Sequence, residues 1–290
     1  MPVIISNIKY CLFLFIAGIF IYSCTEDDDK LLIFAGSVSK PATEEFAEIF
    51  ENETGIKTEI IFGGSGFVLS QMIMSNKGDI YFPGSSDYME IAKQKDIVFE
   101  ETEHAICYLV PAINVKKGNP KGIKSLKDLL RNDVRIAIAN PDGVCVGIYA
   151  VEIIESNLSE EERDLFQKKL LNYTGSCSNT ATVITLETVD AVIGWRVFQN
   201  WENTDIETIT FDKSEIVRIG FMPIAISKLS KKRENAEKFI ESMNSKKGKE
   251  IFKKYGYFVS QQEAFDFIGE EKPVGGNYIV DDKWKVKYKE

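Results

Sequence analysis

Short apolar runs alternate along this chain with stretches whose apolar positions recur every three or four residues. Leu31-Leu32-Ile33-Phe34, Glu59-Ile60-Ile61-Phe62, Asp79-Ile80-Tyr81-Phe82 and Arg135-Ile136-Ala137-Ile138-Ala139 read as strands, since such runs suit a pleated sheet covered on its faces. Between them, Phe46, Ile49 and Phe50 share one helical face, and Val68, Leu69, Met72 and Ile73 share another. The first of these helices has Ser39 for a cap, Pro41 in its first turn, Glu44 and Glu45 near its positive end, and Gly55 as its stop. Another helix is expected from about Asp87, and one more through Ala236, Phe239, Ile240 and Met243. This alternation predicts an α/β fold with mostly parallel sheets.

Two longer apolar runs, Ile106 to Val115 and Val217 to Ile226, break the rhythm. Each is suited to carry the chain from one lobe to another, and two crossings make a hinged clamshell. The expected organisation is lobe 1 from residues 31–110 plus 222–260, lobe 2 from 111–221, and a C-terminal extension at 261–290. The extension has aromatic residues but weak periodicity. It is expected to wrap a lobe or to lie partly disordered.

The N-terminus carries Lys9 and then a twelve-residue apolar run, Cys11 to Tyr22. That is short for a bilayer span and right for the core of an export signal. Ile21-Tyr22-Ser23-Cys24 resembles the bacterial lipobox, in which a small residue precedes the cysteine that becomes lipidated. Residues 1–23 are therefore expected to be a signal peptide, Cys24 the lipidation site and residues 24–30 a polar tether; an uncleaved anchor is the alternative. Both place the rest of the chain outside the cytoplasm, held at the membrane.

Net charge is −9, and loss of residues 1–23 removes one lysine and no acid. Such an acidic chain is a poor partner for nucleic acid. A bound anion would have to be held by local dipoles against this field. Beyond the signal and the lipidation position the cysteines are Cys107, Cys145 and Cys177, too few for a disulfide scaffold or a zinc ribbon. His104 is the only histidine and has no cysteine or histidine cluster beside it, so no metal site or cofactor is expected.

The candidate chemistry lies in three loops that each follow a strand and open a helix: Ala35-Gly36-Ser37-Val38-Ser39, Gly63-Gly64-Ser65-Gly66, and Asn140-Pro141-Asp142-Gly143-Val144-Cys145-Val146-Gly147. They are rich in small and hydroxyl residues and carry no basic side chain. A helix start leaves backbone N–H groups without partners, and these attract anions. Several such starts at one cleft would make an oxyanion pocket. Taken singly, Ser65 is also an ordinary helix cap and Trp195 an ordinary core residue.

The order and spacing of these loops, with Glu53-Thr54-Gly55, Gly78-Asp79-Ile80-Tyr81, Gly147-Ile148-Tyr149-Ala150, Asp190 to Trp195 and Glu250 to Tyr257, resemble the periplasmic molybdate- and tungstate-binding proteins of ABC importers over roughly residues 31–260. The resemblance implies a type II two-lobed binding protein with a hinge and a ligand cleft. It implies a tetrahedral dianion held by two serine hydroxyls, backbone N–H groups and a tyrosine hydroxyl. Carried over by position, the first serine is Ser37 or Ser39 and the second is Ser65. Backbone donors fall at Val146 and at Cys177 or Ser178, and the family's tyrosine falls on Trp195. An indole offers one donor and no acceptor.

This chain departs from the family at Cys145, where proline is usual. Cys145 and Cys177 would face the same anion, so they either bridge as a disulfide or pack as small thiols. The resemblance further implies delivery to an ABC permease by a monomer, without catalysis. The alternatives are a binding protein for another oxyanion or small organic acid, an extracellular hydrolase, and a receptor-associated sensor. Phe67 stands where a nucleophile elbow around Ser65 needs glycine, which disfavours the hydrolase.

Overall fold

The computed structural model describes residues 30–201 and 205–285. The expected export signal, the expected lipidation position Cys24 and most of the expected tether lie outside those residues. From Leu31 the chain runs β1 (Leu31–Gly36), α1 (Lys40–Thr54), β2 (Thr58–Gly63), α2 (Ser65–Ser75), β3 (Ile80–Phe82), α3 (Ser86–Gln94) and β4 (His104–Leu109). It continues with β5 (Pro111–Lys116), β6 (Ile136–Ala139), α4 (Cys145–Asn157), α5 (Glu160–Lys169), β7 (Leu170–Thr174), α6 (Cys177–Thr185), β8 (Ala191–Trp195) and β9 (Ile206–Ile209). Then come β10 (Gly220–Ile226), α7 (Arg233–Asn244), α8 (Lys246–Lys254) and α9 (Gln261–Ile268).

The strands form two five-stranded sheets of one pattern, β2-β1-β3-β10-β4 and β7-β6-β8-β5-β9. In each, the three helix-linked strands are parallel, and the strand that pairs them to the outer edge runs antiparallel to both neighbours. The sheets are thus mixed. Parallel neighbours need a helical crossover, whereas strands arriving from the other lobe enter without one.

β4 and β5 form one extended run that changes sheets at Val110: Leu109 pairs with Gly220 in the first sheet, and Pro111 with Trp195 in the second. The return crossing is shorter than the apolar run suggested. β10 lies wholly in the first sheet, so only the residues just before Gly220 cross.

Helix α1 begins after Ser39 and ends at Gly55, whose φ of 74° suits glycine. Its apolar stripe meets α7, where Phe46, Phe50 and Phe239 form an aromatic triad with centroid separations of 5.0 to 6.1 Å. Burying such rings is among the larger stabilising contributions a small domain can have. The same core continues across the boundary between the sheets to Cys145, Tyr149, Cys177 and Trp195. A second core, around Ile113, Ile138, Ile154, Phe166 and Ile193, fills the far side of the second lobe.

The C-terminal extension packs onto the body of the protein and closes that second core. Phe265 of α9 and Trp284 are buried in it. Trp284 packs edge-on to Phe166 at 6.4 Å and donates to Glu155 Oε1 at 2.5 Å. On the way, Ile219 exchanges backbone hydrogen bonds with Pro273 and Gly275. Ser86 Oγ donates to Gly276 O, and Tyr278 N–H donates to Asp87 Oδ1. The extension therefore lies over the crossing and touches both lobes. Its periodicity is weak because most of it is a strap held at scattered points.

A strap that completes a core must contribute to its stability. Trp284→Ala is expected to lower unfolding free energy by about 3–5 kcal/mol, as large aromatic truncations in cores do. Urea unfolding measures this, and a loss below about 1 kcal/mol would show that the second core closes without the extension.

Candidate functional site

The starts of α2, α4 and α6 meet the β1–α1 loop at one buried place between the sheets. Ser37 and Ser65 are 3% and 1% exposed. Ser37 Oγ accepts the Ser178 N–H of α6 at 3.1 Å, from the opposite lobe. Ser65 Oγ accepts the Gly84 N–H at 2.9 Å. The Gly66 N–H, one of the unpartnered donors at the start of α2, reaches Gly143 O of the other lobe at 2.9 Å. Tyr88 OH likewise crosses to Pro141 O at 3.0 Å.

Close approach of the backbones explains the glycines here. A Cβ at Gly64 would stand 2.6 Å from Gly143 O and 2.8 Å from Gly175 O. At Gly84 it would stand 2.6 Å from both Cys145 Sγ and Val38 Cγ1. Both positions tolerate no side chain while the lobes touch.

Of the residues singled out in the sequence, Ser37, Ser65, Val146, Cys177, Ser178 and Trp195 fall together around this place. Ser39 is buried nearby, but its hydroxyl turns back to donate to Gly36 O at 2.9 Å. Cys145 and Cys177 are the first residues of α4 and α6. They are free, buried thiols with sulfurs 3.6 Å apart, so no disulfide joins them in this structure. Burial, then the neighbouring Cys145, push the Cys177 thiol well up, while the Val146 N–H and the Trp195 side chain act in the other direction. Trp195 is fully buried, packs edge-on to Tyr149 at 4.8 Å and has no hydrogen-bond partner of ordinary geometry for its indole N–H.

Behind Trp195 lies a charged cluster that sequence reading missed. Arg218, 5% exposed, stacks over the Tyr149 ring at 4.0 Å and donates to its hydroxyl at 3.0 Å. Its guanidinium pairs with Asp87 of α3 at 2.8 Å and with Glu152 of α4 at 2.6 Å. One carboxylate comes from each lobe. Burial alone would lower the Arg218 pKa, but Tyr149, Asp87 and Glu152 more than offset it. The available signal was an arginine inside the apolar run Val217 to Ile226, a costly position unless carboxylates are near. With two carboxylates on it, Arg218 has little left to offer an anion.

Asp79 serves the first lobe alone, accepting from Leu32 N and Ser230 Oγ. His104 is exposed on β4. An open groove of about 850 Å³ runs between α1 and α6 beside Ser178. It is lined by Glu44, Glu45 and Glu48 against Lys40. Three carboxylates to one amine would repel an anion.

A family model described as a bacterial extracellular solute-binding protein matches residues 31–258, which leaves the strap outside it. The chain is 24% identical over 256 residues to a putative ABC transporter substrate-binding lipoprotein, YvgL, of Bacillus subtilis, covering 84% of this chain and 94% of that one. It is 30% identical over 139 residues to a putative binding protein of Haemophilus influenzae, covering 48% of this chain and about half (55%) of that relative. Among solved structures, the periplasmic molybdate-binding protein of Azotobacter vinelandii superposes with a TM-score of 0.68 at 18% identity, over 80% of this chain and all (100%) of the other. The sulfate-binding protein SubI of Mycobacterium tuberculosis gives 0.73 at 14% identity, over 85% and 93%. At these identities the structures establish the two-lobed fold.

The charged cluster makes stability depend on pH. Burial raises the Glu152 carboxyl above its ordinary 4.5, with Arg218 opposing in part. A raised carboxyl pKa contributes stability below about 4.5 that is lost as pH rises through the shifted value. Glu152→Gln should therefore gain on the native protein as pH rises from 4 to 7 in parallel urea titrations. A variant that instead loses ground would mean that Arg218 overcomes burial.

Proposed function

The chain belongs to the bacterial extracellular solute-binding proteins, and we propose that its solute is a small tetrahedral oxyanion, molybdate or tungstate. It is captured between the lobes and handed to the permease of an ABC importer. The observation that carries the reading is the donor set: hydroxyls of Ser37 and Ser65 and the N-terminal N–H groups of α2, α4 and α6 gather at one buried place between the lobes. The molybdate- and sulfate-binding structures of the same fold support a tetrahedral dianion, and the relative named as an ABC transporter lipoprotein supports delivery from a lipid anchor at Cys24.

The chemistry follows from proton bookkeeping. Molybdate and tungstate near neutral pH present acceptors only. Ser37 and Ser65 hydroxyls can rotate to donate, and the helix starts supply fixed donors aligned with their dipoles. Each charge-assisted hydrogen bond contributes roughly 1.5–3 kcal/mol. About five of them can offset desolvation of the ion and leave a dissociation constant of roughly nanomolar to micromolar. The absence of a cation from this donor set suits an ion that must leave again at the permease. The ion would replace direct bonds such as Ser178 N–H to Ser37 Oγ, so it ties the lobes through the same atoms that join them here. Val146 N–H, the Cys177–Ser178 start of α6 and the Trp195 indole complete the proposed shell, with Ser39 placed to support the loop through Gly36.

Calorimetry on residues 31–290 against molybdate, tungstate, sulfate and phosphate tests the reading. Molybdate or tungstate is expected to bind in the stated range. Ser65→Ala should weaken that binding about tenfold to a hundredfold, the loss of one charge-assisted bond, while the ligand-free protein stays folded with a lowered melting temperature, because the Gly84 N–H loses its acceptor. Heat from sulfate or phosphate alone would reassign the ion, and no heat from any of the four would overturn the oxyanion reading.

A further inference from the structure

The two thiols at the site lie unusually for a ligand shell. Cys145 and Cys177 open two different helices, are both buried, and hold their sulfurs 3.6 Å apart. Both thiols stand at helix starts that the proposed shell assigns to the ion, and the buried indole N–H of Trp195 has no hydrogen-bond partner of ordinary geometry. Cys145 is covered from the opposite lobe, because its Sγ packs where a side chain on Gly84 would lie, next to Val38. The third thiol, Cys107, is buried in β4 of the first lobe.

We propose that Cys145 and Cys177 are a redox pair that gates the oxyanion site, with the disulfide as the high-affinity form. This rests on the oxyanion reading of the same site. As dithiols, the two sulfurs need separate van der Waals space at the starts of α4 and α6, and Cys145 Sγ fills the space beside Gly84. As a disulfide they draw together to about 2.05 Å, which vacates volume beside Gly84, whose N–H is held by the Ser65 hydroxyl of the proposed shell. The reaction is thiol–disulfide exchange with a small disulfide. Cys145 thiolate attacks one sulfur of the reagent and expels one small thiolate, giving a mixed disulfide. Cys177 then attacks Cys145 Sγ and expels the second. Two electrons pass from the cysteine sulfurs to the reagent, and the two cysteine protons end on two small thiols. Because Gly84 and Val38 cover Cys145, attack requires the lobes to part, so closure protects the dithiol.

The experiment uses residues 31–290, one compact unit, whose three cysteines are Cys107, Cys145 and Cys177. Oxidised glutathione is expected to remove two mass units and leave a peptide pair joining Cys145 to Cys177, with Cys107 unchanged. The oxidised protein should bind molybdate or tungstate at least tenfold more tightly than the reduced protein, and dithiothreitol should reverse the gain. Cys145→Ser combined with Cys177→Ser should bind with one affinity under both conditions; Cys107→Ser should keep the gating. Glutathione adducts or inert thiols in place of the crosslink overturn the redox pair. A crosslink with equal affinity in both states overturns the gating alone and leaves the oxyanion reading intact. A crosslink on a protein that binds no oxyanion in either state overturns both.

Discussion

Buried backbone N–H groups must find acceptors, and this constraint governs the meeting of the two lobes. Three helices start at the interface, and each start leaves donors that its own helix cannot satisfy. Placed away from water, an unmatched donor costs about 1–3 kcal/mol. The structure answers partly by sharing across the gap, with Ser178 N–H on Ser37 Oγ and Gly66 N–H on Gly143 O, and partly within the first lobe, where Ser65 Oγ accepts the Gly84 N–H. Acceptors with two lone pairs and rotatable hydroxyls make the arrangement adjustable. A doubly negative ion that only accepts would satisfy the same donors, which is why a direct lobe-to-lobe contact and an anion shell can be built from one set of atoms.

A second restraint lies behind the first. Arg218 enters the interior at the crossing, where a lone charge would be prohibitive, and is neutralised by Asp87 from one lobe and Glu152 from the other. The strap reaches the same cluster through Tyr278 N–H on Asp87. Buried ion pairs contribute little net stability but penalise any arrangement that parts them. The cluster therefore favours one relative placement of the lobes. It also removes Arg218 from competition for ligand, leaving uncharged donors to define the site.

The helices and strands were readable because their causes are local. Pro41 and Gly55 bound α1, the 3.6-residue stripe through Phe46 and Phe50 faces Phe239, and the apolar runs became strands at their expected positions. The candidate site is legible to the extent that loop chemistry marks a helix start: small residues after strands and the family resemblance single out Ser37, Ser65, Val146 and Ser178, which the fold brings together between the lobes. Ser39 illustrates the limit, since two serines two residues apart look alike until one hydroxyl folds back on Gly36. Arg218, Asp87 and Glu152 were invisible as a group, being separated by 66 and 131 residues. The strap has no periodic signature in the sequence, because its anchors at Gly276, Tyr278 and Trp284 follow no period.

Element type, the two crossings, the acidic balance and the supply of donors were fixed by short-range sequence. Periodicity and turn chemistry act over a few residues and need no partner. Pairings over long separations came only with folding: the mixed order of each sheet, the sulfur contact between Cys145 and Cys177, the carboxylates on Arg218 and the strap across both lobes. Such contacts depend on how two lobes pack, and packing is decided by the shapes that many distant segments present together.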